Sequence, residues 1–254
     1  MSADETSSTE QKLRKPRTRN SPPRSPAAGA ANRALRNSEV VYRDLRDGII
    51  NVTLVPGAPL VEKDITERYG ISRTPVREAI LRLAEEKLVD VVPKSGTFVA
   101  RIPVSDLREA IVARTALEEV CVREATARAS KSQLMELRAI IQRERELAEN
   151  GDEQAFHDAD NAFHSAIATA GGYPGIWTMI EKIRVQVERY RHLTLPQEGR
   201  MDRVVSEHSA VLDAMEKRDA DEAAARMNKH LNKLQIDIGT FQDLWPDYFI
   251  FETK

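Results

Sequence analysis

Pro75 constrains this chain more than any other single residue. It lies in ISRTPVREAILRLAEEKLVDVVPKSGTFVA, residues 71–100. Proline is tolerated in a helix only in the first turn, where its missing N–H would be unpaired anyway. A helix therefore starts at 72–74, with Ser72 or Thr74 available as its cap. Ile80, Leu83 and Ala84 give it an apolar stripe. Two short strands follow, VDVV and TFVA, joined by Pro93-Lys94-Ser95-Gly96. Arg73 and Arg77 share one face at the start of the helix. Two cations there oppose the helix dipole, where a purely structural helix would more often place acids. In a helix-turn-helix, the start of the second helix enters the major groove, and arginine can pair bidentately with guanine O6 and N7. The plainer alternative is a pair of solvated surface arginines.

The preceding residues favour the DNA reading. In SEVVYRDLRDGII, Val41, Leu45 and Ile49 fall on one face, with Ser38 as N-cap. VPGAPL makes a turn, and LVEKDITERYG a second short helix that ends on Gly70. Three helices and a hairpin within 38–100 outline a winged helix-turn-helix. Residues 1–37 are rich in Ser, Pro, Ala and Arg without apolar period, so they are expected as a disordered basic tail. Residues 11–37 hold eight Lys/Arg and no Asp/Glu, whereas 103–254 are net −7. A polyanion partner would thus meet the N-terminal third. No apolar run approaches the ~20 residues that span a bilayer, and no secretory h-region is visible. The single cysteine, Cys121, excludes an intrachain disulfide and a Cys-rich zinc site. The expected setting is reducing and cytoplasmic.

Residues 101–105 (RIPVS) read as a linker. Beyond it the pattern is helical at about 105–129, 131–149, 152–170, 174–194, 200–217 and 219–238, with no β signal. Six antiparallel helices on short loops make a bundle over 106–240. The fold class is mostly α: an N-terminal winged helix-turn-helix plus a C-terminal antiparallel all-helical bundle. The tail at 241–254 carries five of the chain's 13 aromatic residues. So many rings are expected to dock, on their own bundle or on a second copy.

Four polar residues fall on or beside apolar faces of this bundle. Asp160 and His164 accompany Phe156, Phe163 and Ile167. His208 interrupts the stripe Val204, Val211, Met215. His230 lies beside Met227, Leu231 and Leu234. A lone histidine in such a place is usually a satisfied core residue, and an unpaired buried carboxylate is costly. Together, three histidines and an aspartate could share a divalent metal. His157 is expected at the surface. His192 lies near a helix end, where the helix dipole accounts for it. Cys121 is small core filler.

SRTPVREAILRLAEEKLV, with VYRDLRDGIINVTLVPGAPLVEKDIT before it and PKSGTFVA after it, resembles the GntR family of transcriptional regulators. The resemblance runs through about 38–238 to the FadR-like branch with an FCD ligand-binding domain. It implies that Arg73 and Arg77 contact bases, that Thr74 and the wing glycine Gly96 grip the phosphate backbone, and that Ser72 belongs to the same DNA-binding set. Lys63 stands where the family usually has a DNA-contacting arginine; lysine lacks the guanidinium fork. Lys87 stands where glycine is common, and a left-handed lysine there would cost roughly 1 kcal/mol. The resemblance also implies a metal held by DNAFH (Asp160, His164), EHSAVLDAM (His208) and HL (His230). Zinc, nickel and manganese all accept such ligands. It places Arg114, in ARTALEE, where it would hold an acidic effector; the alternative for Arg114 is an intrahelical pair with Glu118.

The resulting expectation is a homodimeric, ligand-responsive regulator, not an enzyme. It would bind double-stranded operator DNA, with its affinity controlled by a small carboxylate at the metal site. The alternative is a metal-dependent, hydrolase-like enzyme with an accessory DNA-binding domain. Against it, there is no HExxH motif, and Glu207 beside His208 does not share its helix face.

Overall fold

The structure is a computed structural model. It describes residues 26–250, with the side chains of 26–34 and of 242 excepted. Ten α-helices and two small two-stranded sheets make up these residues. No helix among them is long and apolar enough to cross a membrane.

The first helix, α1 (Pro26–Ile50), begins twelve residues before the expected start. Ser38 is therefore not an N-cap but a buried residue inside the helix. The physical reason lies in PAAGAANRALRN, which carries five alanines, the best helix former, with the proline at the tolerated end. The part of the basic tail at 1–25 lies outside the described residues. Val41, Leu45 and Ile49 are buried as the stripe predicts.

The second helix, α2 (Glu62–Tyr69), ends on Gly70, whose φ of 61° places it in the left-handed region. The third, α3 (Arg73–Glu85), starts on Ser72, with Pro75 buried in the first turn. Ile80 and Leu83 are buried, and Ala84 is half-buried. The wing is an antiparallel pair, β1 (Val89–Val92) and β2 (Gly96–Val99), in register Val89↔Val99 and Val92↔Gly96. Gly96 has φ 130°, a conformation that disfavours a side chain. Lys87 is left-handed at φ 57°. The helices and wing enclose one core, with Leu45, Ile65, Val76, Leu83, Leu88 and Val99 in its interior.

Within 101–105, residues Ile102–Pro103 form β3. They pair in parallel with β4 (Phe249–Ile250), Ile102 opposite Phe249. The described part of the aromatic tail, through Ile250, docks on its own chain, with Trp245 stacked on Phe241 at 5.8 Å and Phe249 set edge-on to Tyr190 at 6.3 Å; residues 251–254 lie outside the described residues. This small sheet corrects the expectation of no strand in this half. Its two partners lie more than 140 residues apart, so no local period announces it.

Seven helices, not six, form the bundle. They are α4 (Val104–Arg128), α5 (Lys131–Asn150), α6 (Glu153–Ala170), α7 (Pro174–Ile183), α8 (Val185–Thr194), α9 (Arg200–Glu216) and α10 (Ala220–Leu244). Ser130 and Gln133 form a reciprocal capping box on α5, and Asp219 caps α10. The helix expected over 174–194 is interrupted at Arg184 (φ −84°, ψ 3°). Neither glycine nor proline marks the break. Arg184 instead lies over the Trp177 ring and pairs with Glu188 at 2.9 Å. A large apolar core runs between α4, α5, α6, α9 and α10, and the polar cluster is set within it.

Candidate metal centre and nucleic-acid interface

At the winged end, Ser72, Arg73, Thr74 and Arg77 are all exposed around the start of α3, as are Lys63 on α2 and Gly96 on the wing. Ser72 provides the extended backbone that precedes the helix but no side-chain cap bond, so its hydroxyl is not used to close α3. Arg77 Nε donates to both carboxylate oxygens of Glu62 at 3.0 and 3.1 Å. Lys63 lies 3.7 Å from Glu67. Both pairs are solvent-exposed and worth little, so a polyanion can displace them.

Inside the bundle, α6 supplies Asp160 and His164, α9 supplies His208 and α10 supplies His230. All four are buried, and one ligand atom from each lies within 4.8 Å of the others. His208 Nε2 and His230 Nε2 are 3.3 Å apart. Asp160 Oδ2 is 3.7 Å from His164 Nε2, and Oδ1 is 3.8 Å from His208 Nε2. Bonds of about 2.0–2.2 Å to one ion would span such separations.

The other ring nitrogen of each histidine meets a carboxylate. His164 Nδ1 pairs with Glu118, His208 Nδ1 lies 2.9 and 3.0 Å from the oxygens of Glu144, and His230 Nδ1 lies 2.7 Å from Glu207. Metal-ligating histidines adopt this arrangement, because the carboxylate fixes the tautomer and turns the Nε2 lone pair toward the ion. His164 Nε2 is buried without a hydrogen-bond partner. The four residues therefore fit a divalent metal on their geometry and donor chemistry.

The local electrostatics favour the ligating form at His164, His230 and Asp160. Burial pushes the His164 imidazole down to about 3, and burial also lowers His230. Neutral imidazole is the ligating form. Burial opposes the charged form of His208 too, but there Glu144 outweighs it and the net shift is upward. Asp160 is held well below the usual carboxylate range; burial opposes this, and Arg191 with the three histidines overcomes it. Arg191 Nη2 lies 2.6 Å from Asp160 Oδ2, off the hydrogen-bonding direction, so the contact is chiefly coulombic.

Arg114 is 2 % exposed and pairs through Nε with Glu118, the carboxylate that also holds His164. The intrahelical pair is therefore present. Arg114 Nη2 nevertheless remains buried with no partner, a donor left for a further acceptor.

Several residues escaped the sequence reading. Glu144 continues the stripe Leu134, Leu137, Ile141, and that spacing could have flagged it as buried. Glu207 does not face His208, as expected, but reaches His230 on the next helix. His157, expected at the surface, is 2 % exposed and stacks on His192 at 3.7 Å. The cause is that α6 packs against α4, α5 and α7, so far more of it than one apolar stripe is covered. Burial pushes His157 down to about 2 and His192 down to about 4.

A winged helix-turn-helix with arginines exposed at the start of α3, followed by a mostly helical domain, defines a DNA-binding transcriptional regulator. Residues 37–99 match the bacterial regulatory proteins of the gntR family, and residues 109–233 match the FCD domain. The chain is 28% identical over 212 residues to the HTH-type transcriptional repressor RspR of Escherichia coli, covering 84% of this chain and 93% of the relative. It is 30% identical to an HTH-type transcriptional regulator of Streptomyces ambofaciens over 84% of this chain and 89% of the other. The solved structure of E. coli McbR/YncC superposes with a TM-score of 0.63 at 26% identity, covering 82% of this chain and 98% of that one. The protein belongs to the gntR family and carries an FCD domain as its helical half. Its relatives are transcriptional regulators, and the enzyme alternative falls away.

Proposed function

We propose that this regulator binds operator DNA as a homodimer and that a small organic acid, held at a divalent metal in the FCD domain, controls its affinity for that DNA. One observation carries the reading: three buried histidines, each backed by its own carboxylate, converge with Asp160 while Arg114 Nη2 stays unpartnered beside them. Asp160, His164, His208 and His230 would hold the ion, which when bound supplies a Lewis-acidic site for an anionic oxygen. Arg114 would take the acid's carboxylate through its spare donor. Glu118 orients both Arg114 and His164 and balances the charge of Arg114.

At the other end of the chain, Arg73 and Arg77 would read base edges, and Lys63, Ser72, Thr74 and Gly96 would meet the phosphate backbone. A two-fold dimer would place two such helices on the halves of a near-palindromic operator in the cytoplasm. Coupling between acid and operator must be reciprocal.

The test is a thermal-shift screen of the metal-loaded full chain against sugar acids, hydroxy acids and dicarboxylates, repeated after chelation. One chemical series should raise the midpoint, and chelation should abolish the effect. Stabilisation by acids that survives complete removal of metal would refute the reading. So would identical acid affinity with and without operator DNA.

A further inference from the structure

Helix α8, VQVERYRHLT, is polar in sequence yet buried along most of its length. It is about 15 Å long. Two of its arginines, Arg189 and Arg191, stand two residues apart, which turns their side chains about 200° from each other. Arg191 faces α6. Its Nη2 is 2.6 Å from Asp160 Oδ2, and its Nη1 is 3.0 Å from Glu188 and 3.3 Å from Asn161. Asp160 Oδ1 meanwhile faces His208 Nε2. Arg191 thus takes Oδ2, the oxygen that also lies 3.7 Å from His164 Nε2, and leaves Oδ1 toward His208.

Arg189 faces the opposite way. It is fully buried, donates through Nη2 to the Ala100 carbonyl, and donates through Nη1 to Gln186 at 3.0 Å. Its Nε has no partner, and it makes no ion pair among the described residues. Ala100 immediately follows β2, and its own N–H bonds the Leu88 carbonyl at the start of the wing. A fully buried guanidinium without a carboxylate is costly to keep. Here it is spent on the main chain where the winged domain meets the bundle.

We propose that α8 couples the metal centre to the wing: Arg191 positions Asp160 for the ion, and Arg189 carries the resulting setting of the helix to Ala100. The inference rests on the metal reading above. A divalent cation on Asp160 favours the carboxylate orientation that Arg191 supports, so the Arg191–Asp160 contact tightens on loading. The balance of contacts on the α6 side of α8 therefore differs between the metal-free and loaded states, and Arg189 makes a side-chain hydrogen bond from α8 to the wing junction, beside the apolar contact of Val185 with the winged core.

The probe is zinc alone, and the readout is hydrogen exchange in the full chain, with zinc affinity measured by calorimetry. In the wild type, zinc should alter exchange in α6, in α8 and across 99–101, with one common midpoint. Arg189→Met should leave zinc affinity and the α6 response unchanged and lose the response at 99–101; Arg189→Lys, which keeps a donor for the carbonyl, should restore part of it. Arg191→Met should weaken zinc tenfold or more, the effect expected of a residue that orients a ligand, and Arg191→Lys should recover part. If zinc binds and changes α6 but not 99–101, or if Arg189→Met still transmits, the coupling is refuted and the metal reading stands. If the wild type binds no zinc, nickel or manganese, both fall. Should Arg189→Met fail to fold, the wild-type titration decides: different midpoints for α8 and 99–101 refute the coupling.

Discussion

Replacing Glu144 with glutamine should separate metal affinity from fold stability. Glu144 is fully buried, and its contact is His208 Nδ1 at 2.9–3.0 Å. Glutamine keeps the size of the side chain and an acceptor oxygen for Nδ1–H but removes the charge. Loss of such a partner costs about 10–100-fold in metal affinity. At free metal ~100 times the wild-type Kd, binding stabilises the protein by ~2.7 kcal/mol. A tenfold weaker variant retains ~1.4 kcal/mol and a hundredfold weaker one ~0.4 kcal/mol. A chain of this size moves ~2–4 °C per kcal/mol, so the metal-induced shift in Tm should fall from ~5–11 °C to a few degrees or less. The metal-free protein also loses the buried Glu144–His208 pair, and removing one partner of such a pair is destabilising. Its Tm should fall independently of zinc, so the zinc-induced shift is read against each variant's own metal-free Tm. Differential scanning calorimetry with and without zinc reads both quantities. An unchanged zinc-induced shift in Glu144→Gln, alongside complete loss in His208→Ala, would refute the argument that the carboxylate sets the ligand.

At the DNA end, Arg73→Ala or Arg77→Ala should cost ~1–3 kcal/mol on an operator recovered by binding-site selection, and should relax base preference there. Lys63→Ala should weaken all sequences alike and reduce the salt slope by about one, as read by fluorescence anisotropy across a salt series. Lys87→Gly should stabilise the protein by up to ~1 kcal/mol in urea, because Lys87 is left-handed at φ 57°. Its exposed pair with Asp106 at 3.2 Å offsets that gain only slightly. In the chelated protein, stability should fall as pH drops below the unfolded histidine pKa of ~6.5. The sign follows because unfolded His157 takes a proton there, whereas folded His157 does so only at about 2. By pH 5 the His157 contribution reaches ~2 kcal/mol at most. His157→Phe should flatten that part of the slope, and an unchanged slope in denaturant melts at pH 5 and pH 7 would count against burial of a neutral ring.

The winged domain was legible from local signals. Pro75 marks the start of α3, Gly70 the end of α2, and Gly96 the far side of the wing turn, because each depends on the backbone geometry of a few neighbouring residues. The polar residues Asp160, His164, His208 and His230 could be placed on inward faces by helical period alone. Two local readings still went astray. The alanines of 27–34 extend α1 beyond a composition that suggested a tail, and Arg184 interrupts a helix without glycine or proline.

Other features depend on which helix faces meet, and period carries no information about that. Glu118, Glu144 and Glu207 are ordinary helix-forming residues until three separate packings bring each to one histidine. His157 is buried because α6 is covered on several sides. Ile102 and Phe249 pair across most of the chain's length. Arg189 and Arg191 gain their roles only because α8 lies between the ligand cluster and the wing junction. A periodic stripe states that a side chain turns inward; its partner is selected by long-range packing, where the cost of burying an unpaired charge decides which arrangements survive.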